Sequence, residues 1–288
     1  MRKSCHLLLA QGRNGLSIFE VLAVVGIMSI LTALLLPAVQ HSRDAARKVQ
    51  CRNQLRQIAL AFQNYESVYS VFPVIHFTRQ IRPFIEVPQD LRKVPMYACP
   101  SDLENATGES GRGKISYAVN AGLDSFQQNE FGAVSKPARY CRPSDFVDGL
   151  SNTALVAEKL SFPWFAPKSV NWDDAPQHLR RTFLYFRGVA TGPDDFFRRC
   201  NSDTLPLGTW YVNHHYNHLM PPNSRSCVSV GDGEGIGGGQ YSEARMAGSV
   251  HAGGTHVANA DGSASFVSSS IDLIVWRATG TRSGGESF

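Results

Sequence analysis

One stretch of the sequence carries side chains that could bind a transition metal. Residues 213–218 place three imidazoles, those of His214, His215 and His218, within five positions. Imidazole nitrogen is a common ligand of zinc and copper. The stretch lacks the H-E-x-x-H pattern and a nearby acidic base, so its histidines are interpreted first as turn and surface residues.

A second stretch offers oxygen ligands. Asp232 and Glu234 lie in a glycine-rich loop, residues 231–239, and carboxylate oxygens are the ligands that calcium uses. Their spacing does not fit an EF-hand. We therefore predict a loop without a metal and no cofactor, and keep calcium as the alternative.

A histidine and an aspartate near the C-terminus raise the question of catalysis. Thr255–Ala260 and Ser263–Val267 predict two strands joined by Asp261-Gly262 in a type I′ turn. His251 then lies before the first strand and Asp261 at its far end, roughly 30 Å away if the chain is extended. We predict that Asp261 and Gly262 shape the turn and that His251 bonds local backbone. The sequence also has no G-x-S-x-G elbow and no P-loop, so we predict that the protein is not an enzyme.

The cysteines predict disulfides. Cys51 falls on the apolar face of a helix and is interpreted as a buried thiol. Four others allow three pairings in an oxidising compartment, and the pairs that enclose the shorter loops are Cys99–Cys141 and Cys200–Cys227. No C-x-x-C occurs in the sequence, which argues against a zinc ribbon.

One carboxylate, Glu20, stands in an otherwise uncharged apolar run from Gly15 to Pro37. A charge at the centre of a membrane helix costs about 2.5–3.5 kcal/mol on insertion scales, and less near an end. Pairing with an opposite charge would offset that cost. The alternative is a charge tolerated near the lipid headgroups.

The first predicted element of the chain is a helix that anchors it in a membrane. Residues 16–36 would form a helix of roughly 30 Å, which can cross the hydrocarbon core. A secretory signal has a shorter apolar core and a small-residue cleavage site, which Ala33 and Ala38 do not form. Mean hydropathy of −0.18 with one such run predicts a single pass. A net charge of +4, spread along the chain, gives little support for nucleic-acid binding, and we predict none.

An amphipathic helix is predicted to continue the anchor to residue 66, with a bend at Pro37. Its apolar positions recur at steps of four and three: Cys51, Leu55, Ile58, Phe62, Tyr65 and Tyr69. This stripe predicts that the folded domain packs on the second half of the helix. Residues 67–288 read as one domain of short strands and many turns.

Gly15-Leu16-Ser17-Ile18-Phe19-Glu20, after a leader with Arg2, Lys3 and Arg13, resembles the signal of type IV prepilins and type II secretion pseudopilins. The resemblance implies that a prepilin peptidase removes residues 1–15, cutting between Gly15 and Leu16, and methylates the new N-terminus. It also implies that Glu20, fifth in the mature chain, serves assembly by pairing with the N-terminal ammonium of a neighbouring subunit.

The rest of the chain is similar to a large bacterial pseudopilin-like family whose C-terminal domain has no assigned biochemical function. The motifs that carry the similarity are Pro37-Ala38-Val39-Gln40, Gln50-Cys51-Arg52-Asn53-Gln54-Leu55, Cys99-Pro100-Ser101-Asp102, Asp148-Gly149-Leu150-Ser151-Asn152-Thr153, Leu219-Met220-Pro221-Pro222-Asn223-Ser224 and His251-x9-Asp261-Gly262. The resemblance implies a pilin-like α+β fold, in which the long N-terminal helix packs on an antiparallel sheet elaborated by loops.

These observations predict a membrane-anchored, pseudopilin-like structural subunit of a type IV pilus or type II secretion-like system. Its expected partners are the prepilin peptidase, other pilin-like subunits and the membrane. The anchor is expected in the inner membrane, with the C-terminal domain periplasmic or extracellular. One alternative is an anchored module that binds a ligand through residues 163–213, and a less favoured one is an anchored hydrolase.

Overall fold

A computed structural model describes residues 17–73, 77–86, 94–102, 115–123, 141–160, 183–188, 190, 192–202, 205–208, 215–230 and 241–285. Contacts divide the chain into two units, Met1–Ala46 and Arg47–Phe288. The fold is α+β with a long N-terminal helix packed on a sheet, as predicted from the sequence, and this sheet has five strands.

Helix α1 runs from Ile18 to Tyr69 and supplies all the described structure of the first unit. Its residues up to Ala46 are exposed around the whole helix. By length and composition alone, α1 is apolar enough to cross a membrane, and its most apolar window is not buried in the fold. A signal sequence near an N-terminus would pass the same test. Pro37 lies inside the helix, at the place predicted for a bend.

The second part of α1 forms one side of the main core, as its apolar stripe predicts. Cys51, Leu55, Ile58 and Phe62 are fully buried, whereas Tyr65 is half-buried and Tyr69 exposed. The helix ends three residues later than predicted, where Ser70 adopts a left-handed φ of 57°. The Ser70 backbone N–H still donates to the Glu66 carbonyl, which closes the last turn.

The main sheet packs on this part of α1. In spatial order its strands are β5 (His215–Tyr216), β1 (Tyr117–Asn120), β2 (Ala154–Glu158), β8 (Gly254–Asn259) and β9 (Ala264–Ser268). Neighbours are antiparallel except β1 and β5, which are parallel. The sheet is therefore mixed, although a fully antiparallel one was predicted. The parallel pair requires a long crossover, which turn signals in the sequence do not reveal.

The hairpin of β8 and β9 forms at the predicted place with a different turn. Gly262 is left-handed, with φ 86°, but Asp261 is not, so the two-residue type I′ turn predicted from Asp-Gly is wrong. The Gly262 N–H donates to the Asn259 carbonyl and the Asn259 N–H to the Ser263 carbonyl, which closes a three-residue loop. Asp261 avoids a left-handed φ, and its carboxylate accepts from the Ser263 N–H at 2.8 Å.

A second sheet, not predicted, has the spatial order β4 (Leu205–Gly208), β3 (Phe183–Arg187), β6 (Ser226–Val230) and β7 (Tyr241–Ala244). Helix α3, Pro193–Ser202, packs on it. Between them lies a separate apolar core that includes Leu184, Phe186, Phe196, Leu219 and Met220. The short helix α2 spans Phe77–Gln80.

Helix α4, Leu273–Ala278, covers the face of the main sheet opposite α1. Asp272 caps it by accepting from the backbone N–H groups of Ile274 and Val275. Trp276 is buried there beside Tyr216 of β5. The main sheet is thus covered on both faces.

Candidate functional site: a buried carboxylate, two histidines and a disulfide

A disulfide between Cys51 and Cys99 ties α1 to the segment before β1, with 5.0 Å between the Cα atoms. The predicted Cys99–Cys141 pair and the free thiol at Cys51 are therefore wrong. Loop length favoured Cys141, but the helix places Cys51 against Cys99 in three dimensions. Cys141 is a buried free thiol, and burial raises its pKa to about 11 despite the nearby Arg282 guanidinium. The predicted Cys200–Cys227 disulfide is present, between α3 and β6.

Glu158 ends β2 with its side chain almost completely buried. Its Oε2 accepts from the backbone N–H of His256 at 2.8 Å and from the Thr255 hydroxyl at 3.3 Å. Its Oε1 lies 3.0 Å from His256 Nδ1 and 3.4 Å from His251 Nε2. Two neighbouring strands, β2 and β8, thereby supply the carboxylate and one imidazole, and the turn before β8 supplies the other.

The carboxylate of Glu158 is held in its ionised form. Burial alone would raise its pKa, but hydrogen bonds from His251 and His256, together with their charge when protonated, outweigh burial and lower the pKa to about 2. A carboxylate that receives several hydrogen bonds in a buried site is stabilised as an anion. The Glu158 carboxylate is therefore ionised within the core at neutral pH.

The disulfide borders this charge. Cys99 Sγ lies 3.9 Å from His251 Nε2. The ligand atoms of Cys51, Cys99, Glu158 and His251 all lie within 4.8 Å of one another, and all four residues are buried. The ring of His256 packs edge-on against Phe266 of β9, over which Lys48 of α1 is placed 3.5 Å from the ring centroid. Cysteine, histidine and glutamate, the residue types of this group of four, are the types that bind a metal ion.

His251 and Asp261 have separate structural roles. The His251 backbone N–H donates to Ser249 Oγ at 3.1 Å, but its imidazole contacts Glu158 and Cys99, so the prediction that His251 bonds local backbone is wrong. Asp261 is exposed in the hairpin loop, where it bonds Ser263. Gly253 also adopts a left-handed φ, of 80°, as the sharp entry to the hairpin requires.

His215 and His218 are both buried, so their interpretation as surface residues is wrong, and the environment of His218 does not fit the alternative of a metal ligand either. Its Nδ1 lies 2.7 Å from the Trp276 carbonyl and its Nε2 3.1 Å from the Tyr216 hydroxyl, so both ring nitrogens are in hydrogen bonds. The ring stacks on the Trp276 indole with 3.8 Å between centroids. Burial lowers its pKa to about 3, against the bond to the Trp276 carbonyl. His215 is buried on β5, and His214 lies outside the described residues.

Glu20 is exposed in the first turn of α1 and accepts from the backbone N–H of Ser17 at 2.8 Å. This bond is one half of a capping box, which gives the carboxylate a local role within its own helix. The other residues of the predicted cleavage and calcium sites, Gly15, Leu16, Asp232 and Glu234, lie outside the described residues.

Residues of two of the sequence motifs hold neighbouring segments of the domain in place. The Asp148 carboxylate accepts from the N–H groups of Gly284 and Gly285 at 2.7 and 3.0 Å, and so holds the C-terminal segment. Asn223, left-handed with φ 61°, donates to the Gly254 carbonyl and accepts from the Ser249 N–H, which positions the start of β8. These motif residues contact backbone, as structural residues do.

Sequence reasoning missed Glu158 and His256. The available signal was a carboxylate at the end of a strand whose other residues, Ala154 to Ala157, are all apolar. A charged residue that follows such a strand is either at its solvated end or paired in the core. Only the pairing of β2 with β8 decides between the two.

The family comparison matches most of the chain. A family model described as protein of unknown function (DUF1559) matches residues 40–86 and 75–273. The match begins after the apolar part of α1, so it does not test the leader or Glu20. Neither the curated proteins nor the solved structures contain a match to this chain.

Proposed function

The chain belongs to the family of proteins of unknown function DUF1559, and from that premise we propose that it is a membrane-anchored, pseudopilin-like structural subunit. In this proposal a prepilin peptidase cuts after Gly15, and the mature chain assembles with other pilin-like subunits or docks to a type IV pilus or type II secretion-like machine. Its C-terminal domain lies on the outer side of the inner membrane. No catalytic step is assigned to it.

The observation that carries the proposal is the composition of α1. One helix is exposed on all sides from Ile18 to Ala46, is apolar up to Leu36 except at Glu20 and a few small polar residues, and then contributes a buried stripe to the core of the domain. Exposed side chains of this kind need a lipid or protein environment. A subunit that is anchored in the membrane and packs against like subunits supplies both.

Glu20 supports assembly because its local bond does not need a charge. The Ser17 N–H donates to one oxygen of the carboxylate, and a neutral amide oxygen would accept that bond equally well. The charge costs free energy in an apolar environment. The new N-terminal ammonium of an adjacent mature subunit would offset this cost by pairing.

The mature N-terminus tests processing. We expect mass spectrometry of protein purified from membranes to show a chain that starts at N-methylated Leu16. Gly15→Leu should leave the precursor uncut, whereas Gly12→Leu, three residues earlier in the leader, should be processed normally. A mature chain that begins at Met1, or a cut after Ala33 or Ala38, contradicts the proposal.

A pair of substitutions at Glu20 tests assembly separately from capping. Glu20→Gln keeps an acceptor for the Ser17 N–H and removes the charge, and Glu20→Val removes both. In cross-linking of intact cells we expect ladders for the wild type and their loss in both variants, with membrane insertion unchanged. Ladders retained by Glu20→Gln would show that only the capping bond matters and would reject the assembly role.

The second sheet supports an alternative function, which is ligand binding. It has its own apolar core and its own disulfide, Cys200–Cys227, and anchoring through α1 does not require either. The alternative proposal is an anchored module that recognises a ligand through this region. Cross-linked ladders that persist when residues 183–208, which carry β3, α3 and β4, are exchanged for a short linker in a Cys227→Ser background would leave this region free for such a role.

A further inference from the structure

The disulfide beside Glu158 lies among other groups that can bind a metal ion. Cys51, Cys99, His251 and Glu158 come from four separate places: α1, the segment before β1, the turn before β8, and the end of β2. Their ligand atoms converge within 4.8 Å. Each of the four side chains is at least nine-tenths buried. Burying polar and ionisable groups together costs free energy unless their charges and hydrogen bonds are compensated by partners.

Their spacing fits a tetrahedral metal. With zinc–sulfur bonds of about 2.3 Å and zinc–nitrogen or zinc–oxygen bonds of about 2.0–2.2 Å, neighbouring ligand atoms lie about 3.3–3.8 Å apart. Cys99 Sγ to His251 Nε2 measures 3.9 Å, and His251 Nε2 to Glu158 Oε1 measures 3.4 Å. The two sulfur atoms are closer than this because they are bonded to each other.

We propose that, once the Cys51–Cys99 disulfide is reduced, the two cysteines, His251 and Glu158 bind one zinc ion. A dithiol supplies two electrons and two protons to the disulfide and becomes a disulfide itself. The Cys51 and Cys99 thiols then each release a proton to solvent when their sulfurs bind the zinc ion. Cys51 and Cys99 are therefore linked in both states, by a covalent bond in the disulfide and through the zinc ion after reduction.

Residues around the ligands hold them in place. His256 Nδ1 and the His256 backbone N–H orient the Glu158 carboxylate from two sides, with the Thr255 hydroxyl as a third contact. Such outer contacts fix the direction of a metal ligand and raise affinity. Two thiolates and one carboxylate bring three negative charges, which a buried site holds only with a cation among them.

The second disulfide is the natural control. Cys200 and Cys227 are also fully buried, but their surroundings are the apolar side chains of α3 and the second sheet. Within the described residues, the groups of metal-ligand type that converge in this way are those of the Cys51–Cys99 site. Reduction of Cys200–Cys227 should therefore create no metal site.

The test uses the full chain in detergent, in a Cys200→Ser/Cys227→Ser background that keeps only the Cys51–Cys99 disulfide. Oxidised protein and dithiol-reduced protein, freed of reductant without air, are each exposed to zinc and desalted. Zinc per chain is then measured by elemental analysis. We expect about one zinc per reduced chain and none above background in the oxidised chain. Cobalt in place of zinc should give the visible absorption of tetrahedral thiolate coordination.

Variants in the same background assign the ligands. Cys99→Ser should abolish binding, His251→Asn should weaken it by at least about tenfold, and Glu158→Gln should weaken it to a similar degree. Equal zinc uptake by oxidised and reduced chains overturns the proposal, as does uptake unchanged in Cys99→Ser, which would indicate surface ligands only.

Folding is followed by circular dichroism on the same samples. If reduction loosens the domain, zinc should restore the spectrum and raise Tm in the reduced chain, with no change in the oxidised one. A reduced chain that unfolds and does not recover with zinc also overturns the proposal.

Discussion

Two buried sites that contain histidine lie on opposite faces of the main sheet, and different groups surround the imidazoles in each. On the α1 face, His251 and His256 flank the ionised carboxylate of Glu158. On the α4 face, His218 stacks on Trp276 and bonds only a carbonyl and a phenol. We call these the carboxylate–histidine cluster (Glu158, His251, His256) and the indole–histidine stack (Tyr216, His218, Trp276).

The difference shows that burial does not decide charge by itself. Both sites are nearly closed to solvent. In the stack, burial dominates and lowers the pKa of His218 to about 3, so the imidazole is neutral. In the cluster, hydrogen bonds from two imidazoles overcome burial and lower the pKa of Glu158 to about 2, so a charge is retained. The partners decide which form the core contains.

The largest expected effect comes from removing the carboxylate. Glu158→Ala leaves the His256 N–H, the Thr255 hydroxyl and both imidazoles without their acceptor in a buried site. We expect a loss of about 3–5 kcal/mol in the free energy of unfolding. Denaturant titration of the detergent-solubilised chain, followed by tryptophan fluorescence, measures it. A loss under about 1 kcal/mol would mean that the cluster is hydrated and not a core feature.

The pH dependence of stability should separate the two sites. Unfolded histidine titrates near 6.5 and His218 near 3, so the unfolded chain binds more protons between these values and stability falls as pH is lowered through that window. The stability contributed by Glu158 is present above about 4.5 and is lost as pH falls toward 2. Each group contributes a slope of up to about 1.4 kcal/mol per pH unit.

Two substitutions test which residue causes the change in stability in each pH range. In unfolding free energies measured from pH 7 to 3, His218→Gln should flatten the change between pH 6.5 and 4.5 and reduce it below 4.5, whereas Glu158→Gln should reduce only the change below 4.5. If His218→Gln leaves the upper window unchanged, the imidazole in the stack is not held neutral.

The stack can also be disturbed without changing a titratable group. A Cβ added at Gly280 would collide with the ring and Cβ of His218, which is fixed between Trp276 and Tyr216. We expect Gly280→Ala to lower unfolding free energy by about 1–3 kcal/mol. Gly192→Ala is the matched control, since an added Cβ there meets nothing within 4 Å. Equal effects at both positions would refute tight packing in the stack.

The smallest expected change in unfolding free energy comes from a substitution at Gly262, the last residue of the His251-x9-Asp261-Gly262 motif. Gly262 is left-handed, so Gly262→Ala should cost about 1–2 kcal/mol of unfolding free energy through strain in the hairpin loop. Because the carboxylate–histidine cluster contacts His251 and not the loop, the pH dependence below 4.5 should be unchanged. A shift in that window would show that the two ends of the motif act together.

Local patterns in the sequence predicted the features that depend on neighbours along the chain. The steps of four and three from Cys51 to Phe62 predicted the buried stripe of α1, because helical periodicity fixes which side chains share a face. Asp-Gly between two short runs predicted the hairpin of β8 and β9, although not its turn type. The Cys200–Cys227 pair follows from a short loop. These features need little information from distant residues.

Tertiary structure decided the rest, because it depends on which distant segments meet. Cys99 pairs with Cys51, across 48 positions, and not with Cys141, since α1 crosses the sheet beside it. Glu158 and His256, 98 positions apart, meet only because β2 pairs with β8. The charge of a buried group likewise depends on the partners that the fold brings to it. The sequence by itself determined the long helix, its buried stripe and the β8–β9 hairpin, and only strand pairing and helix packing determined the chemistry of the core.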